Sequence, residues 1–257
     1  VLNNAGVIIS TNDGIEDSSL SVTNNAIAGE ARGNVATNAT SVEATTVTET
    51  STATATTTLS ASTLAPTNAS TVVTNVQNVD NASDLDMAVA GAFAIHSEGN
   101  DGGVDDSQLN VDNNLQQSYA TANRATNAIT ITATNSTADG VIENEQSANA
   151  TVSTTSDLDL MSIFGIDAST TSIDSNRNES VASGNIAFST FTVVATNQDG
   201  ANSSSTDASV NKSTEVVVGD AIVASDQSTN AAITASATSD AFNEGISFSS
   251  PSNIDAS

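Results

Sequence analysis

The chain has 257 residues, 30 of them acidic and four basic, which gives a formal net charge of −26. A surface this acidic repels nucleic acid and anionic membranes, and it favours solubility and the binding of cations. Only 3% of the residues are aromatic and none is cysteine, which argues against a thick aromatic core and excludes disulfides and thiolate metal sites. A hydrophobic fraction of 37% and only two prolines favour a folded chain over a disordered one.

The first predicted elements are a short strand at residues 6–10 and a turn at residues 12–14. The turn reads Asn-Asp-Gly, and such steps supply the positive φ that tight turns need. The turn opens a segment, residues 12–45, that recurs without a gap at residues 101–134 with nearly half of the aligned positions identical. Internal repetition of this kind predicts an architecture built from copies of one unit.

Each copy of this segment alternates with the two-residue period of a β-strand, and the side chains of one parity are small, aliphatic or amide. We predict that these side chains form an inner face. In the first copy they are Leu20, Val22, Asn24, Ala26, Ala28, Asn34, Ala36, Asn38, Val42 and Ala44. In the second copy they are Leu109, Val111, Asn113, Leu115, Gln117, Asn123, Ala125, Asn127, Ile131 and Ala133. Stacked asparagine amides can form ladders between strands. The predicted ladder residues are Asn24, Asn34, Asn38, Asn113, Asn123 and Asn127.

Later segments carry weaker traces of the same unit. Residues 46–64 alternate Thr with Ala or Val, residues 71–95 hold two apolar stretches, and residues 184–200 read as the opening of a degenerate third copy. Residues 245–257 resemble residues 6–18, so we expect the chain to be a segment of a longer repetitive polypeptide, or a subunit whose ends continue the pattern. The predicted units are residues 6–90, 91–183, 184–244 and 245–257.

Two all-β architectures fit this pattern. A β-solenoid stacks rungs so that each buries its face on its neighbours, and with rungs of roughly 20–25 residues one repeat would hold about four of them. The alternative is a string of β-sandwich modules of about 90 residues each. Sandwich modules normally bring aromatic residues and sharp turn signals, and both are sparse here. Small inward residues and recurring inward asparagines favour the solenoid-like stack of rungs.

The two copies contain Ser18-x5-Asn24 and Ser107-x5-Asn113, and the first copy continues with a Gly-Asn-x-Ala pattern at residues 33–36. In these motifs the repeat resembles the curlin repeat of bacterial curli fibres. The family's unit has Gln where this chain has Asn24. Curlin units stack strand–turn–strand rungs into an amyloid-like β-solenoid, so the resemblance implies a secreted, self-assembling fibre subunit.

Residues suited to catalysis are scarce, so we expect no enzymatic activity. His96 is the only histidine and Lys212 the only lysine, and no nucleophile elbow or phosphate-binding loop accompanies them. We interpret His96 as a surface residue at the end of a strand.

Calcium is the one cofactor that the sequence suggests. Two acidic turns, at residues 12–17 and 100–106, place hard oxygen donors close together, although neither matches the helix–loop–helix calcium motif. An ordinary solvated turn is the alternative interpretation. The candidate calcium ligands are Asp13, Glu16, Asp17, Asp101, Asp105 and Asp106.

These features lead to two hypotheses about function. The first is a structural subunit or repeat segment of an extracellular bacterial fibre or biofilm-matrix filament, which assembles with further copies of itself. The second is the stalk of a large, calcium-stabilised adhesin at the cell surface. In either case partners other than itself would be the cell surface or a matrix polysaccharide, and neither nucleic acid nor membrane insertion is expected. The Thr-Ala run at residues 52–58 also raises an ice-binding alternative, because rows of threonine on a solenoid can order water.

Overall fold

Strands of this chain pair with strands one repeat away. In a computed structural model, Asn34 lies opposite Asn123, 89 positions later, and Asn123 lies opposite Asn185, 62 positions later. The chain therefore winds as a solenoid in which one repeat makes one complete turn. The structure describes residues 1–48, 53–57, 69, 71–80, 84–97, 103–137, 140–163, 165–198, 204–210, 215–219, 221–240, 247–248 and 253–256.

The turns differ in length but keep the same order of strands. The first turn contains β1 (Leu2–Thr11), β2 (Ile15–Glu16), β3 (Ser19–Thr23), β4 (Ala26–Thr48), β5 (Ala53–Thr57) and β6 (Thr71–Val79). The second contains β7 (Leu85–Ser97), β8 (Gly103–Asp105), β9 (Gln108–Asp112), β10 (Leu115–Thr137) and β11 (Gly140–Ala148). The third contains β12 (Val152–Ile163), β13 (Gly165–Asp167), β14 (Thr170–Asp174), β15 (Arg177–Gln198), β16 (Ser204–Val210), β17 (Glu215–Gly219) and β18 (Ala221–Thr229). The fourth contains β19 (Ile233–Asp240), β20 (Ser247–Phe248) and β21 (Asn253–Ala256).

Equivalent strands of successive turns form in-register parallel sheets, and β16 adds to the edge of one of them by pairing with β18 of its own turn. Sheet A has the order β1-β7-β12-β19, sheet B β2-β8-β13-β20, sheet C β3-β9-β14-β21, sheet D β4-β10-β15 and sheet F β6-β11-β18-β16. Among the described strands only β5 and β17 pair antiparallel, as the two-stranded sheet E. Parallel pairing between distant strands confirms the predicted all-β, solenoid-like stack of rungs, and it does not fit tandem antiparallel sandwich modules.

Sheet D forms one long layer, and sheets A and F pack on its inner side. The first half of each long strand faces sheet A, where Ile27 and Ala31 join Met87 and Val89 in the main core cluster. The second half faces sheet F, where Ile129 and Ile131 pack with Ile142 and Val73. Small inward side chains between these layers suit the low aromatic content of the sequence.

A change of phase divides each long strand at its middle. In β10 the buried residues are Gln116, Ser118, Ala120 and Ala122, and then the adjacent Asn123 and every second residue after it as far as Ala133. Two neighbouring residues are thus buried at the same bend. Because of this bend, the first half of the strand packs on sheet A and the second half packs on sheet F. The predicted inner face was therefore wrong for Ala26, Ala28, Leu115 and Gln117, which point outward, but it holds beyond the bend.

Two turn positions in each repeat use the left-handed backbone conformation. Asp17, Asp106 and Ala168 precede sheet C with φ of 46°, 45° and 46°, and Asn24, Asn113 and Ser175 follow it with φ of 57°, 54° and 55°. Asparagine and aspartate tolerate this conformation better than most side chains, which explains their recurrence at these positions.

The structure corrects three details of the repeat. The predicted rungs of 20–25 residues were wrong, because each rung is a whole turn. Of residues 184–200, residues 184–198 belong to β15, which lies opposite β10, so they do not open the third turn; residues 199–200 lie outside the described residues. Near the end of the chain Ile254 lies opposite Thr171, which aligns it with Leu20 and not with Ile15. The turns begin at β1, β7, β12 and β19, and the division into units at residues 6–90, 91–183, 184–244 and 245–257 stays a prediction.

Candidate functional site

A ladder of asparagine amides connects the first three turns at the corner between sheets C and D. The backbone N–H and Nδ2 of Asn25 both donate to Asn114 Oδ1, at 3.1 and 2.9 Å. Asn114 donates in the same two ways to Asn176 Oδ1, again at 3.1 and 2.9 Å. The Nδ2 groups of Asn114 and Asn176 also donate to the backbone carbonyls of Val22 and Val111 in the preceding turn. The amide of Asn114 therefore links its corner to the turns before and after it.

A serine ladder does the same at the preceding corner. The backbone N–H of Ser18 donates to Ser107 Oγ at 3.0 Å, and that of Ser107 donates to Ser169 Oγ at 2.9 Å. Each hydroxyl donates to the carbonyl two residues before it in its own turn. Serine and asparagine are seven positions apart in all three turns, which gives a Ser-x6-Asn signature.

A second asparagine ladder lies at the bend of sheet D. Asn34 Nδ2 donates to Asn123 Oδ1 at 2.9 Å, and Asn123 Nδ2 donates to Asn185 Oδ1 at 2.8 Å. Each Nδ2 also donates across the core to a backbone carbonyl of sheet F, at distances of 2.7–2.9 Å from the oxygens of Asn78, Ser147 and Ser228. These amides bind successive turns and also bind the two layers of each turn.

Further amides continue this network between sheets D and F. Asn38 Nδ2 donates to Asn127 Oδ1 at 2.9 Å, and Asn75 Nδ2 donates to Asn144 Oδ1 at 2.8 Å. Sheet F also carries a glutamine ladder, whose members are Gln77, Gln146 and Gln227. Buried amides are costly unless they are hydrogen-bonded, so this network specifies the register in which turns stack.

The structure brings four of the six predicted ladder residues together and places two elsewhere. Asn34 with Asn123, and Asn38 with Asn127, form the predicted contacts. Asn24 and Asn113 are corrected: both are exposed turn residues with positive φ, and the next residue in each turn forms the ladder. Sequence reasoning missed Asn25, Asn114 and Asn176 because Asn-Asn occurs in both aligned copies. The Ser-x6-Asn spacing, which recurs at Ser169 and Asn176, would have identified them.

The described calcium candidates do not form a metal centre. Within the described part of the chain, no three or more histidine, aspartate or glutamate side chains group so that they could hold a metal ion. Glu16 and Asp105 lie opposite each other in sheet B, and the N–H of Asp17 donates to the Asp105 carbonyl at 3.2 Å. Asp13, Asp17 and Asp106 occupy exposed or turn positions, which favours solvated turns. Asp101 lies outside the described residues.

His96 lies near the end of β7. It is half-buried in sheet A, opposite Ser10 of the first turn and Ser162 of the third. This position agrees with its interpretation as a strand-end residue, and Lys212 lies outside the described residues. The absence of enzymatic activity stays an expectation.

The outer face of sheet D differs in charge from the rest of the molecule. We use this name for the side chains of β4, β10 and β15 that point away from sheets A and F. These strands carry three of the four basic residues and three of the 30 acidic ones, so the net charge of −26 lies entirely on other segments. The six charged residues are Glu30, Arg32, Glu43, Arg124, Arg177 and Glu179, and they all belong to this outer face.

Ion pairs and hydrogen bonds join several of these charges. Arg32 pairs with Glu30, and Arg177 pairs with Glu179. Gln117 Nε2 donates to Glu179 at 2.5 Å and the Tyr119 hydroxyl donates to it at 3.3 Å. The hydrogen bond from Gln117, followed by the charge of Arg177, lowers the pKa of Glu179, while desolvation and the nearby Glu179 charge raise the pKa of Tyr119.

Hydroxyl and apolar side chains cover the remainder of this face. Val35, Phe188 and Val194 are 52%, 56% and 56% exposed. Hydroxyl residues recur on all three strands beyond the bend, where Thr126 lies opposite Thr37, and Thr130 lies opposite Ser41 and Thr192. They are Thr37, Ser41, Thr45, Thr126, Thr130, Thr132, Thr134, Thr190, Thr192 and Thr196.

Comparison with known proteins gives no relative. No protein-family model matches the chain, and no curated protein or solved structure matches it. No helix long and apolar enough to cross a membrane occurs in the part of the chain that the structure describes. The curlin resemblance therefore rests on the sequence pattern alone.

Proposed function

We propose that this chain is a structural segment of an extracellular fibre or biofilm-matrix filament, which assembles with copies of itself by continuing the stack of turns. The observation that carries the proposal is the one-directional amide ladder. Asn25 of the first turn donates through its N–H and Nδ2 to Asn114 of the second, and Asn114 donates in the same way to Asn176 of the third. A contact that repeats with one geometry along an axis suits a filament, because each added turn presents the same donors and acceptors.

Open strand edges supply the surfaces on which a filament would grow. Among the described strands, β4 and β15 form the two edges of sheet D, and each leaves one row of backbone N–H and C=O groups outside the sheet. Such edges accept a further parallel strand by backbone hydrogen bonding. The edges bear matching sequences, since Gly33-Asn34-Val35-Ala36 recurs as Gly184-Asn185-Ile186-Ala187.

Electron microscopy of the purified chain and of secreted material tests this function. We expect uniform filaments whose fibre diffraction has a strong meridional reflection near 4.8 Å, the spacing of hydrogen-bonded strands. The filaments should form equally well with calcium or with a chelator. Isolated rods that need calcium would contradict the proposal and favour the adhesin stalk.

A further inference from the structure

The outer face of sheet D carries no net charge, whereas the rest of the chain is strongly acidic. Outside β4, β10 and β15 the chain has 27 of its 30 acidic residues and only one of its four basic residues. Two copies that approach through those surfaces would repel each other. The outer face of sheet D has equal numbers of both signs, so like-charge repulsion between copies that meet through it is small.

The side chains on this face are also those that favour docking. The chain's only tyrosine, Tyr119, lies there with Arg32, Arg124 and Arg177, and tyrosine and arginine are enriched where proteins bind each other. Phe188 and Val194 are more than half exposed in a chain that has few aromatic residues to spare. Threonine methyl and hydroxyl groups cover most of the surface between them, and they can pack against an equivalent surface without burying charge.

The dimensions of the face suit a stable contact. Strands of about 23 residues at about 3.3 Å per residue are roughly 75 Å long, and three strands spaced by about 4.8 Å are roughly 14 Å wide. One copy therefore offers about 1,000 Å², and a pair would bury up to about 2,000 Å², which is the size of a specific protein–protein interface. The half beyond the bend alone would bury about half of this area.

We propose that the outer face of sheet D is a lateral docking face for a second copy of this chain. Two solenoids pack face to face through β4, β10 and β15, with their acidic surfaces turned away from each other. This contact is perpendicular to the axial growth described above and does not require it, so a single chain can dimerise in this way. In a filament the same contact would join two solenoids side by side.

Sedimentation equilibrium of the full chain at low and high NaCl tests the docking face. We expect a dimer whose association constant rises with salt, because salt screens the repulsion between the acidic surfaces. Phe188→Glu and Val194→Glu should each lower that constant about tenfold or more, whereas Ile8→Glu, at a 52% exposed position of sheet A, should leave it nearly unchanged. Circular dichroism confirms that each variant keeps its strands.

Cross-linking provides a second readout that does not depend on a destabilising charge. The chain has no cysteine, so Thr130→Cys on the docking face should form intermolecular disulfides faster than Thr155→Cys on sheet A. A chain that stays monomeric at every salt and protein concentration overturns the proposal, as does an equal effect of Ile8→Glu. A monomer that shapes ice crystals through the same threonine residues also overturns it, because ice would then be the occupant. Loss of filaments with retained dimers contradicts only the fibre function.

Discussion

Neighbouring asparagines have different roles at the corner between sheets C and D. Asn113 adopts a φ of 54° and is exposed, whereas Asn114 is 1% exposed and hydrogen-bonds to the turns on both sides. The first residue makes the corner possible, and the second fixes its position in the stack. The amide of Asn114 is consequently the more costly of the two to remove.

Replacement of Asn114 by alanine should lower the free energy of unfolding by about 2–3 kcal/mol. The change leaves the N–H of Asn25 and the carbonyl of Val22 without their partner inside the corner, and unsatisfied buried groups cost about 1–3 kcal/mol. Urea unfolding measures the difference. Asn113→Gly is the matched control and should change stability little, since glycine adopts positive φ readily. A larger loss in the control than in Asn114→Ala would contradict these assignments.

Some of the ladder residues could be predicted from the sequence and others could not. Asn34 and Asn38 could be predicted because identity and strand parity agree for them and their partners in the second copy. Parity could not be carried across the corner, because a residue with positive φ resets the alternation of side chains. Two aligned copies cannot distinguish Asn24 from Asn25, but the third turn can, since it has Ser175 at the first position and Asn176 at the second.

Among the elements, the long strands of sheet D determine the cross-section of the solenoid. A bend in each of these strands lets its first half pack on sheet A and its second half on sheet F. In the first turn the residue at this bend is Gly33. A Cβ atom at Gly33 would lie 2.4 Å from the backbone oxygen of Ala122, which cannot move without distorting β10. The bend thus depends on close approach of two backbones.

Gly33→Ala should therefore cost about 1–3 kcal/mol of stability, the usual range for overpacking. Gly184→Ala at the matching position of the third turn is the control. Its Cβ would meet the Thr229 hydroxyl at 2.8 Å, and a side chain can rotate away. Thermal unfolding of the two variants compares these costs, and equal midpoints would argue against the tight bend at Gly33.

Sequence patterns gave the type of these elements but not their arrangement. Alternation and composition were sufficient to predict an all-β, solenoid-like stack of rungs. The length of a rung was not predictable, because a strand that changes phase at residues 122–123 looks like two shorter strands with opposite inner faces. The third copy was not recognised in the sequence because its spacing differs. Equivalent asparagines of sheet D are 89 positions apart between the first two turns and 62 positions apart between the next two.

For the whole molecule, the distribution of charge should control stability as well as association. Twenty-six net negative charges repel one another across the acidic surfaces, and salt screens that repulsion. We expect the unfolding midpoint to rise with NaCl, and CaCl₂ at equal ionic strength to raise it by a similar amount. A specific increase at low calcium concentration would contradict this expectation and indicate a calcium site.

The register between turns is the central claim, since both the ladders and the docking face depend on it. Thr37 and Thr126 lie opposite each other on β4 and β10 and are exposed. Paired strands are about 4.8 Å apart, within the range of Cα separations that a disulfide spans. In this cysteine-free chain, Thr37→Cys combined with Thr126→Cys should form an intramolecular disulfide in high yield under mild oxidation. The combination of Thr37→Cys with Thr130→Cys, displaced by four residues, should not. A disulfide in the displaced pair and none in the aligned pair would contradict the solenoid with one turn per repeat.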